Sequence, residues 1–188
     1  MRLLLLVVPV WASLAIAQEP ALEAVRGALH TYYRGERLAA VPFAAAGAGG
    51  LVAGSLLLAG GGDLGRGAGW VNLGFGALEF VAGLVLALGT PGRVASLDAL
   101  LTKDPAEFLQ AERARVTRLT TRFQPALLAV WGAAGVAGGV LAGVGAGAHD
   151  DVMLGVGLAL AVQGLVMFLL DWAVLDRELG YGSVLRLP

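Results

Sequence analysis

The sequence predicts an all-α polytopic membrane protein with four transmembrane helices, arranged as two tandem hairpins that are each preceded by an amphipathic helix. Of the 188 residues, 57% are hydrophobic and 14% are charged, and the mean hydropathy is +0.77. Soluble domains carry nearer one quarter charged residues. Four apolar segments are each long enough to cross a bilayer as a helix. They are residues 41–60, 70–88, 125–147 and 152–175.

Short connections predict how the four segments pair. GGDLGRGAG follows the first segment and AHDD follows the third, so residues 41–90 and 125–175 each form a helical hairpin. The polar residues 91–124 link the two hairpins, and residues 176–188 form a polar tail.

An amphipathic segment precedes each hairpin. In residues 18–40, Leu22, Val25 and Leu29 recur at helical spacing, and residues 105–123 of the linker show the same pattern after Asp104, a good N-cap. Apolar and basic faces of this kind are typical of helices that lie at the membrane surface. Extensions that pack on the bundle are the alternative.

The N-terminal residues 1–17 are typical of a secretory signal peptide. One Arg precedes an apolar stretch, and Ala15-Ile16-Ala17 supplies an A-x-A cleavage site before Gln18. An uncleaved anchor is the alternative, but the apolar stretch is shorter than the ~20 residues that a span needs.

The basic residues conflict with that signal peptide. Cleavage would leave residues 18–40, the linker and the tail outside the cytoplasm, with three, six and two Lys or Arg residues respectively. The opposite side would keep only Arg66, which contradicts the positive-inside rule. The membrane orientation therefore stays open.

The two hairpins resemble each other in sequence. Residues 73–85 (LGFGALEFVAGLV) and 154–166 (LGVGLALAVQGLV) share seven of 13 positions, and residues 47–60 share six of 14 with 132–145. Together these matches favour an internal duplication in which both copies have the same orientation.

Glycines at four-residue spacing predict faces for close helix packing, because small residues let helix backbones approach in lipid. A sliding or gating interface is the alternative. The predicted packing residues are Gly50, Gly54, Gly135, Gly139, Gly143 and Gly147.

Polar residues inside the apolar segments are candidates for an intramembrane site. Glu79 lies near the middle of the second segment and shares a helix face with Asn72, and an acid at that depth is costly in lipid. Either a wet functional site or a structural hydrogen bond explains it. Asp171 corresponds to the same face in the second hairpin, although it is nearer the headgroups, and Gln163 points elsewhere and suits an interhelical hydrogen bond.

Few kinds of chemistry can be built from these residues. The chain has no cysteine and two histidines, and it contains no catalytic signature, so we expect neither an enzyme nor a cofactor. His149-Asp150-Asp151 is interpreted as a solvated turn rather than a metal site. The basic run near residues 112–122 either contacts anionic lipid headgroups or is a solvated face, and nothing indicates nucleic-acid binding.

The segments Trp70-Val71-Asn72-Leu73-Gly74 and 155–171 resemble an uncharacterised bacterial family of small four-span membrane proteins. The family patterns are W-x-x-V-N-L-G in the second span, where this chain has Trp70 directly before Val71, and G-x-G-x-A-x-x-x-Q-G-x-x-x-x-x-x-D in the fourth. Its members carry Asn and Asp in the third span, where this chain reads LLAVWGAAGVAGG. The resemblance implies a multi-pass protein of the bacterial inner membrane and no particular activity.

From these features we expect a non-enzymatic accessory or scaffolding bundle that contacts lipid and either self-associates or joins a membrane-protein partner. The alternative is a small transporter of protons, ions or solutes that uses Glu79.

Overall fold

The computed structural model describes the backbone of residues 7–186 and the side chains of residues 22–186. The predicted signal peptide, residues 1–17, lies outside the described side chains. The described chain is helical throughout and contains no strand, so the all-α prediction is confirmed. Its elements are α1 (Val7–Gly60), α2 (Gly62–Lys103), α3 (Pro105–Arg118), a π-helical turn (Leu119–Phe123), α4 (Gln124–Ala148) and α5 (Asp151–Leu185).

Four stretches of helix are long and apolar enough to span a membrane, as predicted for a polytopic protein. Large apolar side chains are exposed along them, which suits contact with lipid tails rather than water. These include Val52, Leu56, Leu78, Val81, Val136, Val140, Leu165 and Leu169.

The first amphipathic segment is an extension of the first span that packs on the bundle, which is one of the two interpretations that the sequence left open. Residues 22–40 continue directly into the first span, and the stretch Leu22–Gly60 contains 39 residues. At 1.5 Å per residue it is about 58 Å long, whereas the hydrocarbon core of a bilayer is about 30 Å thick. The amphipathic part therefore extends the span and packs on the bundle.

These extensions meet in one hydrophobic core, which explains why the linker and the tail are helical rather than polar coil. Its buried members come from α1, α2, α3 and α5 and include Leu29, Leu101, Phe108 and Leu185. We call this part of the molecule the charged end, comprising residues 22–40, 91–124 and 176–186.

Within the linker, the predicted start of α3 is confirmed. The Asp104 side chain accepts a hydrogen bond from the Glu107 backbone N–H at 2.9 Å, and Pro105 occupies the first turn.

The helices of each hairpin pack backbone against backbone at glycines. A methyl group placed on Gly76 of α2 would lie 2.7 Å from the Leu51 nitrogen of α1, and one on Gly164 of α5 would lie 2.5 Å from the Gly135 nitrogen of α4. Such distances leave no room for a side chain. Helix α2 and helix α5 also touch closely where Gly67 faces Val156, near the hairpin turns.

The two hairpins use the same packing register. Gly76 and Gly157 lie 81 residues apart and meet the pairs Gly47/Leu51 and Gly138/Ala142, whose members lie 91 residues apart. Gly83 and Gly164 repeat this relation against the pairs Ala40/Ala44 and Trp131/Gly135. The 81-residue spacing is that of the sequence match between 73–85 and 154–166. The match of 47–60 to 132–145 has a spacing of 85 and so differs from the packing register by six residues.

Both hairpin turns contain a residue with positive φ. The connection predicted as GGDLGRGAG is the single residue Gly61, because α2 starts at Gly62, whose φ of 60° favours glycine. In the second turn His149 adopts φ 58°, and the Asp150 N–H bonds to the Gly145 carbonyl at 2.9 Å. Asp150 then caps α5 through the Met153 N–H, so this turn has a complete structural role.

Candidate functional site

A buried ion pair anchors the polar part of the charged end. Arg115 donates two hydrogen bonds to the Glu112 carboxylate, at 2.6 and 2.9 Å, and the Tyr33 hydroxyl lies 3.3 Å from the same carboxylate. Glu112 is 2% exposed, so the pair is shielded from water and its attraction is weakly screened. Both members of the ion pair belong to α3, and the Tyr33 hydrogen bond joins the pair to α1.

Aromatic rings surround Arg115 and the neighbouring Arg177. The Arg115 guanidinium lies 5.4 Å from the centre of the Tyr32 ring and 5.6 Å from that of Tyr33. Tyr32 also stacks on Tyr181 at 4.6 Å and faces Arg177 at 5.9 Å. Cation–π contacts of this kind hold guanidinium groups in fixed positions.

A cavity of about 460 Å³ opens beside this cluster, between the two hairpins. We call it the inter-hairpin cavity. Its polar wall is formed by Tyr32, Glu36, Arg93, Arg115, Arg118, Gln124, Arg177 and Glu178. Its apolar wall is formed by Ala39, Phe43, Ala82, Val85, Leu86, Leu119, Phe123, Leu127, Trp131, Met167 and Val174, with Asp171 among them.

Part of the exposed edge of the cavity is apolar. Val85 of α2 and Phe123 of the π-helical turn both line it, and both are largely exposed. An apolar molecule in the surrounding lipid could therefore enter sideways between α2 and the start of α4.

The π-helical turn belongs to the cavity wall through Leu119 and Phe123. It joins α3 to α4 without a break, so the amphipathic helix and the third span are one bulged rod. π-Bulges are rare and occur frequently at functional sites.

Asp171 has a partner that the sequence did not reveal. The Trp131 indole N–H donates a 2.6 Å hydrogen bond to the Asp171 carboxylate, which is 6% exposed. The Trp131 ring also contacts Phe75 of α2 edge-on, with ring centres 5.8 Å apart. Asp171 therefore faces inward, while the neighbouring Trp172 is 57% exposed.

The other predicted polar residues lie away from the cavity. Glu79 is 3% exposed and shares the α2 face of Gly76 and Gly83 that packs on α1. Its Oε1 has no hydrogen-bond partner among the described residues. The Asn72 side-chain amide donates a hydrogen bond to the Ala68 backbone carbonyl at 2.9 Å. Gln163 is half-buried.

The predicted glycine faces divide into two groups. Gly50 and Gly54 pack on the backbone of α2, and Gly135 packs on α5. A methyl group on Gly139, Gly143 or Gly147 would meet nothing within 4 Å. Within one chain α4 uses Gly138, Ala142 and Gly145 instead, so packing by the open glycines stays a prediction about contacts with another molecule.

Sequence reasoning missed Glu36, Gln124, Trp131 and Glu178 as cavity residues. Glu36 and Glu178 sit in segments that were interpreted as amphipathic or polar, where an acid is expected to be solvated. Gln124 immediately precedes Pro125 at the start of a span, and this was its only unusual feature. Only the close approach of the four helices buries these groups.

The fold and the cavity define a class of protein: a four-helix, membrane-type bundle with a half-polar, half-apolar cavity between its hairpins. Among the described residues no group of three or more His, Asp or Glu side chains is placed to hold a metal ion. No family model, curated protein or solved structure matches the chain. The resemblance to the four-span bacterial family therefore stays a prediction.

Proposed function

We propose that this chain is a non-enzymatic integral membrane protein that binds an amphiphile in the inter-hairpin cavity. The observation that carries the proposal is the division of that cavity into a charged wall and an apolar wall. A molecule with a polar head and a hydrocarbon tail satisfies both walls at once. A purely polar solute would leave the apolar wall without contacts.

Size and access support an amphiphile. The volume of about 460 Å³ lies within the range of roughly 300–1,000 Å³ that is usual for small-molecule sites. The exposed Val85 and Phe123 at the edge of the cavity support entry from among lipid tails. Bilayer lipid is therefore the nearest source of ligand.

The membrane is proposed to be the bacterial inner membrane, with the charged end in the cytoplasm. The described charged end gathers Arg and Lys residues from three segments, whereas the turn end carries Arg66. This distribution favours a cytoplasmic charged end. A reporter that functions only in the cytoplasm is expected to be active when it is fused to the C-terminus. Activity only of a periplasmic reporter would instead support a cleaved signal peptide.

An internal duplication is proposed as the origin of the bundle. The matching glycine contacts at spacings of 81 and 91 residues support it, because two unrelated hairpins would have no reason to share a register.

A second role, self-association or docking of a membrane-protein partner, is favoured by the open face of α4. A methyl group on Gly139, Gly143 or Gly147 would meet nothing within 4 Å, and Val140 beside them is exposed. Because the chain has no cysteine, Gly143→Cys introduces a single reporter thiol. We expect oxidation in native membranes to give a cross-linked dimer from Gly143→Cys and none from Leu78→Cys, which is exposed on α2.

The transporter alternative rests on Glu79. The cavity reaches α2 at Ala82 and Val85 and is not lined by Glu79, so the cavity does not supply a wet path to this acid. Binding in the cavity is accordingly preferred over ion movement through Glu79.

Filling the cavity tests the proposed function. Ala82→Trp places an indole in the cavity, and Ala77→Trp adds the same group to an exposed position on the same helix. Native mass spectrometry of the purified full chain is expected to show one retained lipid in the wild type and in Ala77→Trp. Ala82→Trp is expected to lose it while remaining helical by circular dichroism. Equal lipid retention by both variants would contradict the proposal.

A further inference from the structure

We infer that the inter-hairpin cavity selects an amphiphile with a zwitterionic head, in which a primary ammonium contacts Glu178, Gln124 and Glu36 and a phosphate contacts Arg93 and Arg118. This is phosphoethanolamine chemistry. The inference rests on the proposed function, since it assigns the head of the bound amphiphile.

The cavity wall contains three buried hydrogen-bond acceptors that have no donor among the described residues. Gln124 and Glu178 are 4% and 3% exposed, and both line the cavity. The Gln124 side chain hydrogen-bonds to Glu178, yet Gln124 Oε1 and Glu178 Oε2 have no partner among the described residues. Glu36 Oε2, on the α1 side of the same cavity, is also buried without a partner. Leaving a buried acceptor without a donor is destabilising.

The nearby arginines do not donate hydrogen bonds to these acceptors. Arg115 is committed to Glu112, and Arg177 donates to the Gly35 carbonyl at 3.0 Å while its Nε stays without a partner. No ion pair within 4.0 Å joins Glu178 or Glu36 to an arginine in the described part of the chain. The wall therefore presents an excess of acceptors close to fixed positive charges.

A primary ammonium matches the acceptors in number and charge. It carries three N–H donors and no acceptor, and three unpartnered oxygens line this wall. A trimethylated ammonium has the same charge and donates no N–H hydrogen bond. The two kinds of head have the same charge and differ in hydrogen bonding and in size.

The phosphate has its own partners at the exposed edge of the cavity. Arg93 and Arg118 both line the cavity and both are exposed, so they are placed to meet a phosphate at the exposed edge of the cavity. Guanidinium groups bind phosphate through paired N–H donors. A head with a phosphate and no ammonium would satisfy these arginines and bring no positive charge to Glu36 and Glu178, offering them at most neutral hydroxyl donors.

A headgroup series tests the inference. The full chain in nanodiscs of neutral carrier lipid is titrated with short-chain phosphatidylethanolamine, phosphatidylcholine and phosphatidylglycerol, and retained lipid is counted by native mass spectrometry. We expect phosphatidylethanolamine to bind roughly tenfold more tightly than phosphatidylcholine, the value of one good charged hydrogen bond. Free phosphoethanolamine, which lacks tails, is expected to compete poorly. Competition equal to that of the lipid would indicate a soluble ligand and overturn the lipid assignment.

Variants locate the selectivity. Glu178→Gln and Glu36→Gln are expected to reduce the preference for phosphatidylethanolamine over phosphatidylcholine several-fold, whereas Asp176→Asn, an exposed acid on α5, is expected to keep it. Two conservative variants on different helices keep the test valid if one of them fails to fold.

Each remaining outcome has a distinct meaning. Equal binding of all three lipids, or tightest binding of phosphatidylglycerol, would overturn the headgroup assignment and leave amphiphile binding intact. Binding of none of them, together with unchanged behaviour of Ala82→Trp, would overturn the proposed function itself.

Discussion

The two hairpins pack alike and differ in where their acids lie. Gly76 and Gly157 occupy equivalent places in the two interhelical contacts. In the first hairpin Glu79 lies on the α2 face that packs on α1, and its equivalent in the second hairpin, at a spacing of 81 residues, is Leu160. The acid of the second hairpin, Asp171, corresponds to Thr90 in the first.

This difference separates scaffold from site. Backbone contacts at glycines give both hairpins the same geometry, since no side chain is needed to set it. Asp171 instead bonds to Trp131 on the wall of a cavity, and Glu79 has no partner among the described residues. An acid buried in the membrane segment is therefore not by itself evidence for a site. Whether such an acid belongs to a site depends on its hydrogen-bond partners and on the space around it.

The largest effects are expected where the hairpins are alike. Gly76→Val and Gly157→Val each place a side chain against the facing backbone, so we expect each to destabilise the bundle by about 3 kcal/mol. Thermal unfolding in detergent measures this. Gly74→Val is the control, because nothing lies within 4 Å of that position. A marked effect at only one of the two equivalent glycines would break the equivalence of the hairpins.

The next largest effect separates the two acids. Trp131→Phe removes the donor to Asp171 and leaves a buried acceptor, which is expected to cost about 1–3 kcal/mol in thermal stability. Trp172→Phe, at an exposed position on α5, is expected to have little effect. Equal stability of the two variants would mean that the Trp131–Asp171 hydrogen bond does not hold α4 to α5.

Glu79 is expected to respond in the opposite direction. Since it makes no hydrogen bond within the described chain, Glu79→Leu is expected to leave stability unchanged or raise it by about 1 kcal/mol. Glu79→Gln serves as the matched polar variant. Loss of ion or proton flux in reconstituted vesicles with Glu79→Gln, in an intact bundle, would instead support the transporter alternative.

The smallest effects on stability are expected at the two hairpin turns. Gly62 and His149 both have positive φ, but only glycine adopts it without strain. Gly62→Ala is expected to destabilise the first turn by about 1 kcal/mol, and His149→Gly is expected to be neutral or slightly stabilising. Denaturation midpoints compared between these two variants would show the sign. A stabilising Gly62→Ala would contradict the assigned conformation of the first turn.

The sequence predicted the architecture better than the site, for a physical reason. Apolar length and glycine spacing are local properties, so the helices, the hairpins and the contacts of Gly50 and Gly54 followed from them. The open face of Gly139 shows the limit, because a glycine one position away, Gly138, carries the contact. Periodicity identifies a small-residue helix without fixing which of its faces meets the neighbour.

The cavity could not be predicted from the sequence because its polar wall is assembled from five different helices. Glu36 and Gln124 are 88 positions apart in the numbering and come together only when the extensions of α1 and α5 pack with α3. From the sequence, the same extensions were interpreted either as surface helices or as segments that pack on the bundle. Their burial against one another turned expected solvated charges into cavity walls.

Photolabelling tests the central claim, that an amphiphile occupies the inter-hairpin cavity, most directly. The full chain in nanodiscs is labelled with a phosphatidylethanolamine that carries a diazirine on its acyl chain, and the modified residues are mapped by mass spectrometry. We predict labelling concentrated at Leu127 and Met167 on the apolar wall and suppressed by unlabelled phosphatidylethanolamine. Labelling spread evenly over exposed positions such as Val140 and Leu165, without suppression by competitor, would contradict the account.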